Sequence, residues 1–276
     1  MKKGIDISDN QGMIDWNKAK AAGVEFVILR TTRRSGNPDT YLPTNIRSLK
    51  EFQIPFDFYK YSYATTVDEA VKEAQTVVDV LNGYGVVADN NTIIYMDVED
   101  KVQFALSTKE LTEIVQAWKN VIISAGFRFG LYMGKYAYEH NEVDLSKFDD
   151  LTWIARYYNG YNKMQITDAV NERYKPVAQS GELLGWQYTS SGQVPGINGN
   201  VDMDVYYGDI RESNVEVEYY STPEFTLIDA LNKINVDSSY KNRKSIAVKN
   251  GLTDYSGKKE ENLELLEKLQ AGKLVK

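Results

Sequence analysis

The amino-acid sequence predicts an α/β fold: an irregular (β/α) barrel of about eight strands with reduced helices, followed by a small helical C-terminal domain. Three observations carry that expectation. Eight short apolar runs, at residues 4–7, 26–30, 56–61, 92–97, 129–132, 151–155, 184–187 and 201–205, have the length and make-up of strands. Segments of helical period separate the first few, and a strand, helix, strand order implies parallel pairing with the helices outside. After Gly208 the texture turns polar and reaches Ser221, Thr222 and Pro223, as a linker does. The expected division is a barrel over 1–211, a linker over 212–223 and a small module over 224–276. A chain of 276 residues suits one large core with an appendage, because single cores rarely grow beyond about 250 to 300 residues.

Two helices of the barrel are explicit. Val67, Ala70, Val71, Ala74, Val77, Val78 and Leu81 make one apolar stripe, entered through Thr66 with Glu69 three residues on, the pattern of a capping box. Ser107 and Glu110 repeat that device ahead of Leu111, Ile114, Val115, Trp118, Val121, Ile122 and Ala125, and Gly126 supplies a left-handed stop. Beyond Tyr157 the helical signal weakens, so helices there are expected to be short or missing. In the last fifty residues Leu227, Ala230 and Leu231 mark one short helix, 243–250 a second and 262–271 a third, with Gly251 and Gly257 as breakers. That size is marginal for independent folding, so tight helix packing or self-association through this module is expected to support it.

Composition removes several classes of function. There is no Cys and one His, so disulfides, thiol chemistry and a zinc or haem site have no residues to build them, and neither a cofactor nor a metal is expected. A formal net charge of -7 argues against nucleic acid as a partner. No uninterrupted apolar run approaches membrane-spanning length, and Met1, Lys2 and Lys3 run straight into a strand without the apolar stretch of a signal peptide. The expectation is a protein made in the cytoplasm that does not engage membranes.

In parallel barrels the active site lies at the carboxyl ends of the strands, so the polar residues that close each apolar run are the informative ones. Asp6 lies near the end of the first, Arg30 ends the second, Tyr59 and Tyr61 the third, and Asp97 with Glu99 the fourth. Tyr132 closes the fifth, Arg156 the sixth, Gln187 and Tyr188 the seventh, and Asp202 with Asp204 the eighth. Asp97 and Glu99 stand two apart, so they face the same side of the chain and can share one site. Crowded acids repel, and one relieves the repulsion by holding its proton towards neutral pH. That proton is what glycoside cleavage needs for the leaving oxygen, alongside negative charge near an oxocarbenium-like carbon. Taken alone, an Asp-x-Glu at a strand end is also the ordinary signature of a solvated loop. Asp6 could equally belong to turn and cap chemistry, and spacing does not choose between Asp202 and Asp204.

Aromatic residues gather at the same ends: Tyr59, Tyr61, Tyr63, Tyr132, Trp153, Tyr157, Tyr158, Trp186 and Tyr188. Sugar faces stack on such rings, so a carbohydrate groove would use them, whereas Trp153 and Trp186 read as core. The substrate-binding candidates are Tyr59, Tyr61, Tyr132, Gln187, Tyr188 and Arg30. His140 is expected on a surface loop.

Five motifs in order, Gly-Ile-Asp-Ile-Ser at 4–8, Phe-Tyr-Lys-Tyr-Ser-Tyr-Ala at 58–64, Tyr-Met-Asp-Val-Glu-Asp at 95–100, Trp-Ile-Ala-Arg-Tyr at 153–157 and Trp-Gln-Tyr-Thr-Ser-Ser-Gly at 186–192 followed by Gly-Asn-Val-Asp-Met-Asp, resemble glycoside hydrolase family 25. The resemblance spans about the first 206 residues. It implies an N-acetylmuramidase, or lysozyme, that hydrolyses the β-1,4 bond between N-acetylmuramic acid and N-acetylglucosamine of bacterial peptidoglycan. It further implies Glu99 as proton donor, Asp97 as its partner, and Asp6 and Asp202 as flanking acids; the first acid of Val-Asp-Met-Asp matches the family pattern, which favours Asp202. Lys60 stands where the family often has His. The last fifty residues are similar to a short module of clostridial-type wall hydrolases and phage endolysins, on the strength of Asp237-Ser238-Ser239, Asn242-Arg243, Lys249-Asn250-Gly251, Asp254-Tyr255-Ser256-Gly257 and Leu269-Gln270-Ala271-Gly272-Lys273-Leu274.

Two acids on one strand face suit a substrate-assisted route, with direct attack or base action by Asp202 or Asp6 as the alternative. A wall module without an export signal suggests a phage or prophage endolysin that reaches the wall after holin-type release. The rival readings are a catalytically silent wall-binding protein that kept the barrel, and a chitinase-like hydrolase.

Overall fold

The computed structural model describes residues 1–86, 88, 91–148, 151–179, 181–208, 226–234, 236–270 and 273–275. The chain divides into two compact units, Met1–Val217 and Glu218–Lys276. The expected linker, 212–223, and both of its expected boundaries lie outside the described residues.

In the first unit β1 (Lys2–Ile7), β2 (Phe26–Arg30), β3 (Phe56–Tyr61), β4 (Ile93–Asp97), β5 (Arg128–Gly134) and β6 (Leu151–Ala155) pair in parallel, each with the next. A two-residue strand, β7 (Met164–Gln165), then adds to the far end of β8 (Glu182–Gln193), which pairs in parallel with β6. The last strand, β9 (Val201–Tyr206), closes the ring by running antiparallel to both β8 and β1. Two findings thus depart from an all-parallel ring of eight. β7 is too short to leave a period in the sequence, and residues 194–200 are too few for a crossover, so the chain returns from β8 as a hairpin.

Helical cover is uneven, as expected. α1 (Trp16–Ala21), α2 (Leu42–Glu51), α3 (Val67–Gly83), α4 (Thr108–Ser124) and α5 (Lys135–Glu139) follow the first five strands, and only a short 3-10 turn at Glu172–Tyr174 stands between β6 and β8 among the described residues. On α3 the buried stripe is Ala70, Ala74, Val77, Val78 and Leu81; Val67 and Val71 are exposed, at the flank of the stripe that Ala70 and Ala74 turn to the core. Its cap is also shifted: Thr66 accepts from the Glu69 N–H, but the Glu69 carboxylate accepts from the Thr65 N–H at 2.8 Å. At α4 both halves of the box form between Ser107 and Glu110, and Gly126 takes φ 86°.

Inside the barrel Phe26, Ile28, Ile93, Tyr95, Tyr132, Trp153, Leu184 and Tyr206 form a plug of their own. Rings of this size fit because the neighbouring strands carry glycine opposite them. A Cβ on Gly130 would lie 2.4 Å from the Tyr95 ring, and one on Gly185 would lie 2.7 Å from Trp153. The plug is the floor on which the site rests.

The second unit is three helices, α6 (Leu227–Lys233), α7 (Tyr240–Lys249) and α8 (Lys259–Gln270), around Leu227, Leu231, Ile246, Ala247, Tyr255, Leu265 and Leu266. Its polar motif residues are occupied by structure. Ser239 caps α7, Asn242 Nδ2 donates to the Asp237 carbonyl at 2.6 Å, and Arg243 Nε donates to the Tyr255 hydroxyl at 3.0 Å. That hydroxyl donates in turn to Asn262 Oδ1 at 2.5 Å, while Asn250 Nδ2 ties to the Val275 carbonyl at 2.9 Å. Ala271 and Gly272 of the motif lie outside the described residues.

Candidate active site

Side chains alternate along a strand, so every second residue looks into the barrel. Asp6 of β1, Tyr59 and Tyr61 of β3, Asp97 of β4 with Glu99 just past it, Tyr132 of β5, Gln187 of β8 and Asp202 of β9 line one cavity of about 220 Å³, with Trp153 beneath. Acids from three distant segments therefore meet at one mouth. The reversed direction of β9 separates its two aspartates: Asp202 pairs with Asp6 and Asp204 with Gly4, so Asp202 opens on the cavity and Asp204 sits a layer lower. Asp204 is fully buried and accepts from Trp153 Nε1 at 2.8 Å.

Gln187 organises the floor. Its Oε1 accepts from the hydroxyls of Tyr132 at 2.9 Å and Tyr157 at 2.7 Å, and its Nε2 donates to Asp6 Oδ2 at 2.7 Å. Asp97 lacks such a tie, as does Asp204 Oδ2 a layer below, but Asp97 lines the cavity. It is buried, and its Oδ1 has no hydrogen-bond partner among the described residues. A buried carboxylate oxygen left open in an otherwise bonded cluster is an acceptor awaiting a donor.

Burial lifts all five carboxyls. Asp6 stands well above the usual carboxylate range through desolvation and then the charges of Asp202 and Asp204. Asp97 is raised by burial and then by Glu99, with Lys60 pulling it back. Glu99 is solvent-accessible at the lip, yet the protein around its carboxyl raises it, with the polar Tyr132 hydroxyl nearby pulling the other way. Asp202 is pushed up to about 6, by burial first and Glu99 second. Asp204 is raised by burial against the Trp153 bond. A cluster of this kind retains protons towards neutral pH, so an acid with a transferable proton is available where water and substrate have access.

Lys60 lies on the outer face of β3, only 2% exposed, with its ammonium donating to the Tyr61 carbonyl at 2.5 Å and 3.6 Å from Glu73 of α3. It also stands 5.1 Å from the Tyr63 ring. This is a buried cation held just behind Asp97.

Residues 5–197 match the sequence model described as Glycosyl hydrolases family 25. The chain belongs to glycosyl hydrolase family 25. An autolytic lysozyme of Clostridium acetobutylicum is 27% identical to this family 25 hydrolase over 204 residues, covering 74% of this chain and 55% of that protein. Among solved structures, the modular autolysin LytC of Streptococcus pneumoniae, in complex with a synthetic peptidoglycan ligand, superposes with TM-score 0.58 at 28% identity over 75% of this chain and 46% of that one. The catalytic domain of the endolysin ply40 from bacteriophage P40 of Listeria monocytogenes gives 0.56 at 25% identity, covering 76% and 95%. This family 25 hydrolase therefore spans about half the length of the first two.

Two of the expected substrate contacts sit differently from expectation. Tyr188 is fully buried on the outer face, where its ring stacks with Tyr158 at 6.3 Å, because it adjoins the inward-facing Gln187 and so points the other way. Arg30 lines the cavity, but its guanidinium is held by Asp9 and Asp39, the latter at 2.7 Å. It clamps the loop after β1 to the loop after β2. Trp153 and Trp186 are core as read, and His140 caps the exposed end of α5. The cavity also has Tyr157, whose sequence signal is its position closing the run from Trp153, and Arg33 and Arg34, which occupy a loop without any pattern, none of them among the substrate contacts expected from sequence.

Proposed function

We propose that this family 25 hydrolase is an N-acetylmuramidase that cleaves the β-1,4 bond from N-acetylmuramic acid to N-acetylglucosamine in bacterial peptidoglycan. The observation that carries the reading is the pairing of Glu99, accessible and raised, with a buried Asp97 whose Oδ1 is open. Glu99 gives its proton to the glycosidic oxygen as the bond to the anomeric carbon breaks. The 2-acetamido oxygen of the same sugar attacks that carbon, while Asp97 accepts the acetamido N–H and offsets the charge that develops on the ring so formed. Water then opens the ring with Glu99 as base, which restores its proton. Asp6, hydrogen-bonded through Gln187, and Asp202 shape the pit and add negative potential; Tyr59, Tyr61 and Tyr132 form walls against which the sugar packs. The LytC complex with a peptidoglycan ligand and the autolytic lysozyme support this substrate.

The division into a barrel at 1–211, a linker at 212–223 and a wall-binding module at 224–276 is part of the same proposal, as is an endolysin's life: synthesis in the cytoplasm and holin-type release. No described helix is long and apolar enough to cross a membrane. Mass spectrometry of digested wall, with clearing of Gram-positive walls followed in parallel, tests the reading. Fragments ending in reducing N-acetylmuramic acid are expected, and Glu99→Gln is expected to lower the rate by about 10³-fold or more. Equal clearing by both proteins would overturn the role of Glu99, no clearing by either would leave a silent wall binder, and release of sugars from chitin alone would leave a chitinase-like hydrolase.

A further inference from the structure

The acidic pit has a neighbour. A second cavity, of about 600 Å³, shares Glu99, Tyr132 and Tyr157 with the pit, but Asp6, Asp97 and Asp202 are absent from its wall. The rest of its wall comes from the segments after β5 and β6, with Tyr136 and Tyr161 at the rim. Its volume lies within the roughly 300 to 1,000 Å³ typical of small-molecule sites.

We infer that this second cavity receives the sugar on the leaving side of the cleaved bond, an N-acetylglucosamine unit, and that Tyr136 and Tyr161 are its stacking platform. The inference rests on the muramidase reading, which it extends to a second sugar. The direction follows from where the acid stands. The attacked sugar must lie over Asp97, because its acetamido group meets the open Oδ1, and that places it in the pit. Glu99 protonates the bridging oxygen, which departs with the other sugar, so that sugar lies beyond Glu99 on the side away from Asp97. The second cavity has Glu99 in its wall and not Asp97, as that side requires.

Its chemistry fits a neutral sugar. The pit is walled by carboxyls, whereas the second cavity offers rings and charges of both signs: Lys135 pairs with Glu139, and Arg156, whose guanidinium donates to the Tyr174 carbonyl, stands on the same wall as Glu99. Tyr136 is 71% exposed and Tyr161 83% exposed, unusual for rings of this size unless something covers them. Tyr136 is also braced. One face stacks on His140 with centroids 3.9 Å apart and planes at 25°, and His140 Nδ1 lies 2.8 Å from the Tyr136 carbonyl. A ring held this way loses little freedom when a sugar settles on its other face. Tyr157 belongs to the walls of both spaces, and its hydroxyl is fixed on Gln187 Oε1 at 2.7 Å.

The test compares two substrates of the full chain: wall glycan, which fills both spaces, and the 4-nitrophenyl β-glycoside of the N-acetylglucosaminyl-N-acetylmuramic acid disaccharide, which places no sugar in the second. For the Tyr136→Ala, Tyr161→Ala double variant, kcat/KM on glycan is expected to fall about tenfold further than on the aryl glycoside, and the Phe double variant to recover most of the difference. Equal losses on both substrates, or glycan cleavage at the unaltered rate, would overturn the inference while leaving the muramidase reading intact. A wild-type protein that leaves wall glycan uncut would overturn both, and Glu99→Gln identifies that case because it then behaves as wild type.

Discussion

The polar motif residues of the barrel and those of the C-terminal unit differ in what they leave unfinished. In the small unit Ser239, Asn242, Arg243, Asn250 and Tyr255 each hold a cap, a carbonyl or a neighbouring side chain. In the barrel, Asp97 keeps a buried oxygen without a partner, and every acid of the pit is displaced from its ordinary proton affinity. Both sets look alike on the page, as short runs of Asp, Ser, Asn and Gly. Satisfaction and position together separate them: a polar group with its bonds made holds a fold, and one with a bond left open at a cavity wall, as Asp97 has, is available for chemistry.

Asp97→Asn gives the largest test of that distinction. The amide keeps the shape but carries an N–H₂ where an acceptor is wanted and removes the charge, so kcat on wall glycan should fall about 10²-fold or more while the melting temperature holds or rises, the desolvated carboxyl being gone. A fall in melting temperature with retained rate would make Asp97 structural and erase the contrast.

Lys60→Met, made together with Glu73→Gln so that no acid is stranded, sharpens it through pH. Lys60 favours the charged form of Asp97 more strongly than Glu73 opposes it; without the pair that carboxyl rises further, and the acidic limb of kcat/KM, which reports Asp97 losing its proton, moves to higher pH. About a tenfold loss at pH 5, shrinking as pH rises, is expected, and Lys60→Arg should restore the limb. A limb that does not move would place Lys60 outside the site's electrostatics.

The smallest effect belongs to the other region. Tyr255→Phe removes the hydroxyl between Arg243 and Asn262 and should cost the small unit about 1 to 3 kcal/mol, read by urea unfolding, with unchanged turnover of the soluble aryl glycoside. A matching loss of turnover would show that the motif does more than hold turns.

Much of this was legible beforehand, for identifiable reasons. Asp6, Asp97, Glu99 and Gln187 were readable because parallel strands deliver their last inward residue to one rim, and Thr66 and Ser107 because caps are local. Tyr188 was misread by treating two adjacent residues as if both could face inward, which the two-residue period forbids. The choice between Asp202 and Asp204 was closed to spacing alone, since it depends on the direction of β9, a property of a hairpin with no periodic signal. Lys60 was noticed as a departure, but only the packing of α3 shows it buried against Glu73.

The reversed last strand has one more effect. Since β9 descends while its neighbours climb, Tyr206 ends level with Lys2, on the rim opposite the acids. The barrel's last strand therefore finishes away from the cleft, so a fluorescent tag fused directly behind Tyr206 in a shortened chain would be attached at the rim that carries none of the pit's acids.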